Sequence, residues 1–333
     1  MRINGTHTLS DLHCLYQDAL RGKKICVDDA ALLFREDEVR LSDLVYYGDL
    51  IRQHFFGANV HLCAIISAKR GGCGEDCAFC AQSAHHPVSI QNYPLVSQEQ
   101  CVEKAQRAES LGVRCFSLVT SGKTLRSRQE RKTLLATVDA IRRSTRLQVA
   151  ASLGTLSREE LTEFKEGGLT TYHHNLETAP SFYSKVCSTH PVSERIHTIL
   201  AARDAGLTVC AGGIFGMGEN PDHRAEFAVL LRELPVQRIP VNFLNPISGT
   251  PLEHQQRLKP LECLRILAAL RFVLPDRDII VCGGREAAIR SLQPLVFLAG
   301  VNGMMTGDYL TTRGQSPEAD LDMIRDLDMK IAV

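Results

Sequence analysis

From Asn59 onward the chain switches repeatedly between two periodicities, and few folds accept that. Short apolar, β-branched runs fall near residues 60–66, 114–119, 147–151, 170–174, 208–213, 238–243, 278–282 and 300–305. Between them lie longer segments with a helical repeat, among them Gln98–Leu111, Glu130–Ser144, Arg158–Glu166, Glu194–Ala205, Pro221–Leu234 and Pro260–Val273. Gly112, Gly168 and Gly206 stand where helix C-termini should stop. Eight strand–helix units predict an α/β chain closed into a (β/α)8 barrel of the TIM type. A doubly wound sheet is the alternative, because alternation alone does not show closure. The expected organisation is an N-terminal helical extension (1–57), the barrel (58–310) and a polar tail (311–333) with a short helix near 318–328. In the extension, helices are expected over Leu9–Leu20, Val27–Phe34 and Leu41–Phe55, with Asp28 and Asp29 capping the second and Ser42 starting the third.

Barrel enzymes place their chemistry at the C-terminal ends of the strands. Lys69-Arg70-Gly71-Gly72-Cys73-Gly74-Glu75-Asp76-Cys77-Ala78-Phe79-Cys80 follows the first strand there. Three thiolates at C-x3-C-x2-C spacing can hold three irons of a four-iron cubane, leaving the fourth open to chelate a small molecule. The spacing resembles that of radical S-adenosylmethionine (SAM) enzymes. A structural zinc loop is the competing reading, although zinc usually takes four N/S ligands, commonly as two spaced pairs.

Other strand ends carry polar groups. Alternation after the fourth strand puts His173, Asn175 and Glu177 on one face, whereas His173 and His174 point oppositely and make a poor chelate pair. Gly212-Gly213-Ile214-Phe215-Gly216-Met217-Gly218-Glu219 would let a ligand approach the fifth strand's backbone. Asn242 would offer a two-sided amide, and Arg285, if it points inward, needs a partner.

GGCGEDCAFCAQS, YHHNLET, CAGGIFGMGE, VNFLNPISGTPLE and GGREAAIRSLQPL with GDYLTTRGQ together resemble the biotin synthase family over about residues 40–315. The resemblance implies a radical SAM barrel, paired as a homodimer, that inserts sulfur between two unactivated carbons of dethiobiotin. A saturated C–H bond resists any polar base, so cofactors carry the hard step: a [4Fe-4S] cluster with SAM makes the hydrogen-abstracting radical, and an auxiliary iron–sulfur cluster supplies sulfide. It implies that Cys73, Cys77 and Cys80 hold the SAM cluster, that Arg195 pairs the SAM carboxylate and that Glu177 lies near the ribose. It also implies substrate contacts for His173, Asn175 and Asn242, and ligation of the auxiliary cluster by Cys210 and Arg285. Asn175, Gly213 and Glu219 complete the expected SAM pocket.

Two usual auxiliary-cluster cysteines are replaced by Ser117 and Ala150, and alanine cannot ligate iron. Cys115 shares the face of Ser117 one pleat deeper, and Cys63 falls in the polar series of the first strand. An altered cluster held by Cys63, Cys115 and Cys210, with Cys187 or Arg285 nearby, is therefore expected, either [2Fe-2S] or larger. The plainer alternative is that these are buried cysteines packing as small hydrophobes. By strict alternation from Arg285, Cys282 turns outward unless Gly283–Gly284 bulges. Cys14, Cys26, Cys101 and Cys263 read as helix packing. A related enzyme with another substrate, working by rearrangement or in cofactor maturation, and a non-catalytic iron–sulfur protein remain as alternatives.

Lys+Arg and Asp+Glu both number 38, so no net charge draws the chain to nucleic acid or an acidic membrane surface. Twelve unpatterned cysteines and a mixed polar–apolar N-terminus suggest a reducing, cytoplasmic compartment. The expected electron donor is a flavodoxin or ferredoxin.

Overall fold

The computed structural model describes residues 9–332. Residues 1–8 of the expected extension, and Val333 of the expected tail, lie outside the described residues.

Ten strands follow in chain order: β1 Asn59–Lys69, β2 Cys115–Thr120, β3 Gln148–Ser152, β4 Thr171–His173, β5 Thr208–Cys210, β6 Gly213–Phe215, β7 Arg238–Phe243, β8 Asp278–Val281, β9 Gly303–Met305 and β10 Lys330–Ile331. All their pairings are parallel, and β1 pairs with both β2 and β9. That contact closes the sheet and excludes the doubly wound alternative. β5 and β6 are two pieces of one barrel stave, both paired to β7, so eight staves close the ring, with β10 added outside β1.

The helices are α1 Leu9–Leu20, α2 Val27–Phe34, α3 Leu41–Phe56, α4 Gln98–Ser110, α5 Arg128–Ser144, α6 Arg158–Glu166, α7 Pro180–Tyr183, α8 Val192–Asp204, α9 Pro221–Glu233, α10 Pro260–Val273, α11 Arg285–Ile289, α12 Leu295–Leu298 and α13 Pro317–Asp326. Gly112, Gly168 and Gly206 follow α4, α6 and α8 with φ of 82°, 101° and 76°, the left-handed geometry that lets a chain leave a helix without a Cβ clash.

α2 lies along α9 and α3 along α10, and Leu12, Phe34, Leu44 and Ile51 join the same apolar core as the barrel. A Cβ on Gly48 would sit 3.4 Å from that of Ala268, so glycine lets α3 approach α10 closely. Two caps differ from expectation. The Cys26 side chain, not Asp28 or Asp29, caps α2 by accepting from Asp29 N, and α3 begins after Arg40 with no side-chain cap, leaving Ser42 inside the helix. Cys14 and Cys26 are exposed, against their expected packing role, whereas Cys101 and Cys263 are buried.

Candidate active site

A cavity of about 410 Å³ opens inside the barrel toward the C-terminal ends of the strands. Its upper wall is the loop after β1. Gly71 and Gly72 have φ of 79° and 61°, and a Cβ on Gly71 would strike the Asn92 side chain, so the loop's entry requires glycine. The loop is then pinned by Cys73 N to Gln82 O at 3.0 Å and Ala84 N to Cys73 O at 2.7 Å. Cys73, Cys77 and Cys80 all border the cavity. Burial pushes the Cys77 thiol up and that of Cys80 up to about 11. Each would therefore stay protonated without a cation. Among the described residues, only Glu75, Cys187 and His190 bring three metal-capable donors within 4.8 Å of one another. The three loop thiols form no such group among the described residues, a wider spacing that suits a multi-iron cluster, and Cys187 packs beside Cys77.

Beside the loop, Arg195 projects from α8. Its Nη1 donates to Asn175 O at 2.9 Å and lies 3.8 Å from Glu177, and its Nε donates to Tyr183 Oη at 2.8 Å and His190 Nε2 at 3.0 Å. Burial raises the carboxyl of Glu177, while the facing Arg195 guanidinium pulls it down. Glu177 has φ 70°, an unusual backbone for a non-glycine residue. His173, Asn175, Glu177 and Arg195 share this wall. His174 borders the cavity too, but its ring stacks on Tyr172, two residues earlier, while His173 faces Ser117; the ladder runs on through His174 N to Cys210 O and Leu176 N to Gly212 O, so the two rings point oppositely as expected. Burial holds the His174 ring neutral, down to about 3, and its Nε2 has no partner.

Three expected pocket residues serve the backbone instead. Gly213 does not border the cavity: a Cβ there would meet Glu177 O at 2.2 Å, so its bareness serves the β6–Glu177 contact. Glu219 folds back to accept from Gly216 N and Met217 N, each at 2.8 Å, and pairs Arg224 at 3.0 Å, away from the cavity. Asn242 borders the cavity, but its amide is occupied: Nδ2 donates to Gly213 O at 3.1 Å and Oδ1 accepts from Gly283 N at 2.9 Å.

Deeper in the barrel, Cys63, Cys115, Cys210 and Cys282 border the cavity together. Cys63 and Cys115 are direct register partners across β1 and β2. Burial pushes all four thiols up, and they oppose one another's ionisation: Cys210 feels Cys63 and Cys115, and Cys282 feels Cys63 and Cys210. Four soft donors in an apolar pocket match the preference of iron–sulfur clusters for thiolate. Ser117 and Ala150 sit beside them; Ser117 Oγ lies 3.4 Å from His173 Nδ1.

Three expectations are corrected here. Arg285 is not on a strand: β8 ends at Val281, and Arg285 opens α11, where its Nη2 donates to both carboxylate oxygens of Asp320 at 2.7 and 2.8 Å and its Nη1 to Gln293. It is absent from the cavity wall. Since Arg285 sets no phase for the strand, Cys282 instead shares the inward face of Ile280, two residues earlier, and lines the floor. Cys187 lies not at the floor but beside Cys77 and Tyr183, where it donates to Asp76 Oδ1 at 3.3 Å.

Arg238 was not anticipated. It is the register partner of Cys210, and its Nη1 donates to Thr171 Oγ1 at 3.1 Å and to Cys115 Sγ at 3.6 Å. Its position two and four residues before Pro240 and Asn242 on β7 carried that signal.

Residues 70–231 match the Radical SAM superfamily, and residues 240–330 match the Biotin and Thiamin Synthesis associated domain. The chain is 46% identical over 312 residues to the biotin synthase of Geobacter sulfurreducens, covering 94% of this chain and 95% of that one. It is 46% identical over 317 residues to that of Pelobacter propionicus, covering 92% and 97%. The chain belongs to the biotin synthase family. In fold it is similar to methylornithine synthase (PylB), with a TM-score of 0.82 at 20% identity over 96% of this chain and 97% of that one. It is similar likewise to the FeFe-hydrogenase maturase HydG from Carboxydothermus hydrogenoformans, with a TM-score of 0.77 at 17% identity over 96% and 79%. As a member of the biotin synthase family the chain is a radical SAM enzyme, whose cofactor is a [4Fe-4S] cluster with SAM.

Proposed function

We propose that the chain converts dethiobiotin to biotin, with the sulfur drawn from an auxiliary iron–sulfur cluster of altered type at the barrel floor. The observation that carries this is one cavity with two separate sulfur sets, three loop thiols above and four thiols on or just past strands below, in a chain similar to biotin synthases along nearly its whole length. When bound, the upper cluster with SAM supplies hydrogen abstraction from saturated carbon, and the lower cluster supplies sulfide.

The protein's own share is positioning and exclusion of water. Cys73, Cys77 and Cys80 hold the upper cluster. Arg195 takes the SAM carboxylate, with Glu177 set near the ribose. His173 borders the cavity in reach of a small polar ligand, and Asn175, whose Oδ1 accepts from Gly212 N, would offer one only its Nδ2. Asn242 acts indirectly, by tying the β6 and β8 strand ends that shape the pocket. At the floor, Cys63, Cys115, Cys210 and Cys282 are the ligand set. Arg238 sets a positive charge beside Cys115, which offsets the charge that several thiolates would gather in a buried site. Four thiols would serve either a [2Fe-2S] cluster or a larger one. Flavodoxin or ferredoxin is the electron donor, and the working form is a cytoplasmic homodimer.

Anaerobic incubation of the iron-loaded protein with dethiobiotin, SAM and a reductant, followed by mass detection, should yield biotin. Cleavage of SAM without biotin would refute the substrate assignment.

A further inference from the structure

We infer that Glu75 and His190 form a positioning relay that ties the cluster-bearing loop to the arginine for the SAM carboxylate. The inference rests on the reading of Arg195 given above. Glu75 lies between Cys73 and Cys77, so cluster binding at those thiols fixes its backbone on both sides. Its carboxylate bonds His190 Nδ1 and accepts from Thr189 Oγ1 at 2.7 Å. On the ring's far side, His190 Nε2 lies 3.0 Å from Arg195 Nε and 2.8 Å from Tyr183 Oη.

The donors fix the tautomer. A guanidinium nitrogen only donates, so Nε2 accepts and the ring proton sits on Nδ1, pointing at Glu75. The chain therefore runs in one sense, from Arg195 through a neutral imidazole to a carboxylate. It holds the Nε edge of the guanidinium, and Asn175 O holds Nη1. Among the described residues no side chain hydrogen-bonds Nη2, so one corner of the fork remains for a ligand carboxylate, which guanidinium groups recognise well.

A second tie keeps the relay in place. Asp76 accepts from Ser188 N at 3.0 Å and Thr189 N at 3.2 Å, which fastens the segment carrying His190 to the cluster loop. The donors of Glu75, Cys187 and His190 are close enough for a metal ion. Here, however, the His190 Nδ1 hydrogen and the Glu75 carboxylate already satisfy each other, and the Cys187 thiol donates to Asp76. The closeness is that of a hydrogen-bonded relay.

The test is equilibrium binding to the iron-loaded protein, under non-reducing anaerobic conditions, of two ligands. SAM carries the carboxylate; 5′-methylthioadenosine shares the adenosyl part and lacks it. His190→Phe should weaken SAM about tenfold, the loss of one hydrogen bond to a charged group, and leave 5′-methylthioadenosine within about twofold. His190→Gln, which keeps one donor and one acceptor, should recover most of the SAM affinity. Adding Glu75→Ala to His190→Phe should cost little more, because the two act in series. Equal losses for both ligands, or unchanged SAM binding in His190→Phe while Arg195→Met loses it, would overturn the relay. If Arg195→Met itself spares SAM, the reading of Arg195 fails and the relay fails with it. Stoichiometric zinc in the iron-loaded protein, lost in His190→Phe, would also overturn it, in favour of a metal site.

Discussion

The three thiols above the cavity sit in the single segment Cys73–Cys80, whereas the four at its floor come from positions 63, 115, 210 and 282, on or just past four different strands. The upper set is local. Its spacing, two left-handed glycines and a few loop hydrogen bonds define it, and it would tolerate small shifts of the barrel beneath. The floor set exists only because strand register brings Cys63 level with Cys115, and Cys210 level with Arg238. A one-residue slip on any of those strands would turn a thiol out of the cavity. A motif can thus identify a cluster that a loop holds, but a cluster held by a barrel is visible only through phase.

That contrast breaks most visibly at the two cysteines whose expected and observed positions differ. Cys282→Ala should abolish biotin formation and remove iron from the floor while leaving reductive SAM cleavage intact. Cys187→Ala should leave floor iron and biotin formation nearly unchanged, since Cys187 lies beside Cys77. Iron content with product analysis checks both, and the opposite pattern would return Cys187 to the floor.

The next effect concerns stability. Arg285 and Asp320 are both fully buried and joined at two points, so Arg285→Met strands a carboxylate whose pKa burial already raises. Loss of one partner of such a pair costs about 3–5 kcal/mol. Denaturant unfolding should show that loss, with cluster content unchanged in whatever protein remains folded. Loss of floor iron from folded protein would instead support Arg285 as a ligand.

The smallest effect is a pH dependence in the cavity wall. His174 titrates at about 3 in the folded chain against an ordinary 6.5. Below pH 6.5 the unfolded ring takes a proton that the folded ring refuses. Its share of stability is therefore complete above 6.5 and is lost as pH falls toward 3. His174→Phe should flatten the stability profile across that window, as read by urea midpoints at successive pH values. An unchanged slope would place the titration elsewhere.

Much of this architecture was legible in the sequence. The eight staves fell within a few residues of their expected places because each strand is a short β-branched run closed off by turn residues. Closure was not legible, since the β1–β9 pairing joins residues far apart in the chain. Cys63, Cys115 and Cys210 followed from two-residue alternation. Cys282 was misjudged because Arg285 was taken as a strand residue, when Gly284, with φ 79°, ends the strand phase before it. Gly213, Glu219 and Asn242 were read as ligand contacts because their types suit a pocket. Residue type alone does not reveal that backbone amides and carbonyls already occupy the Glu219 and Asn242 side chains.

The central claim is that the floor thiols hold a cluster independent of the loop thiols. It is tested most directly by measuring iron and acid-labile sulfide in anaerobically reconstituted protein carrying Cys73→Ser, Cys77→Ser and Cys80→Ser together. The account predicts that iron and sulfide remain bound, and that they disappear when Cys63→Ala and Cys115→Ala are added. A triple variant already free of iron would contradict it.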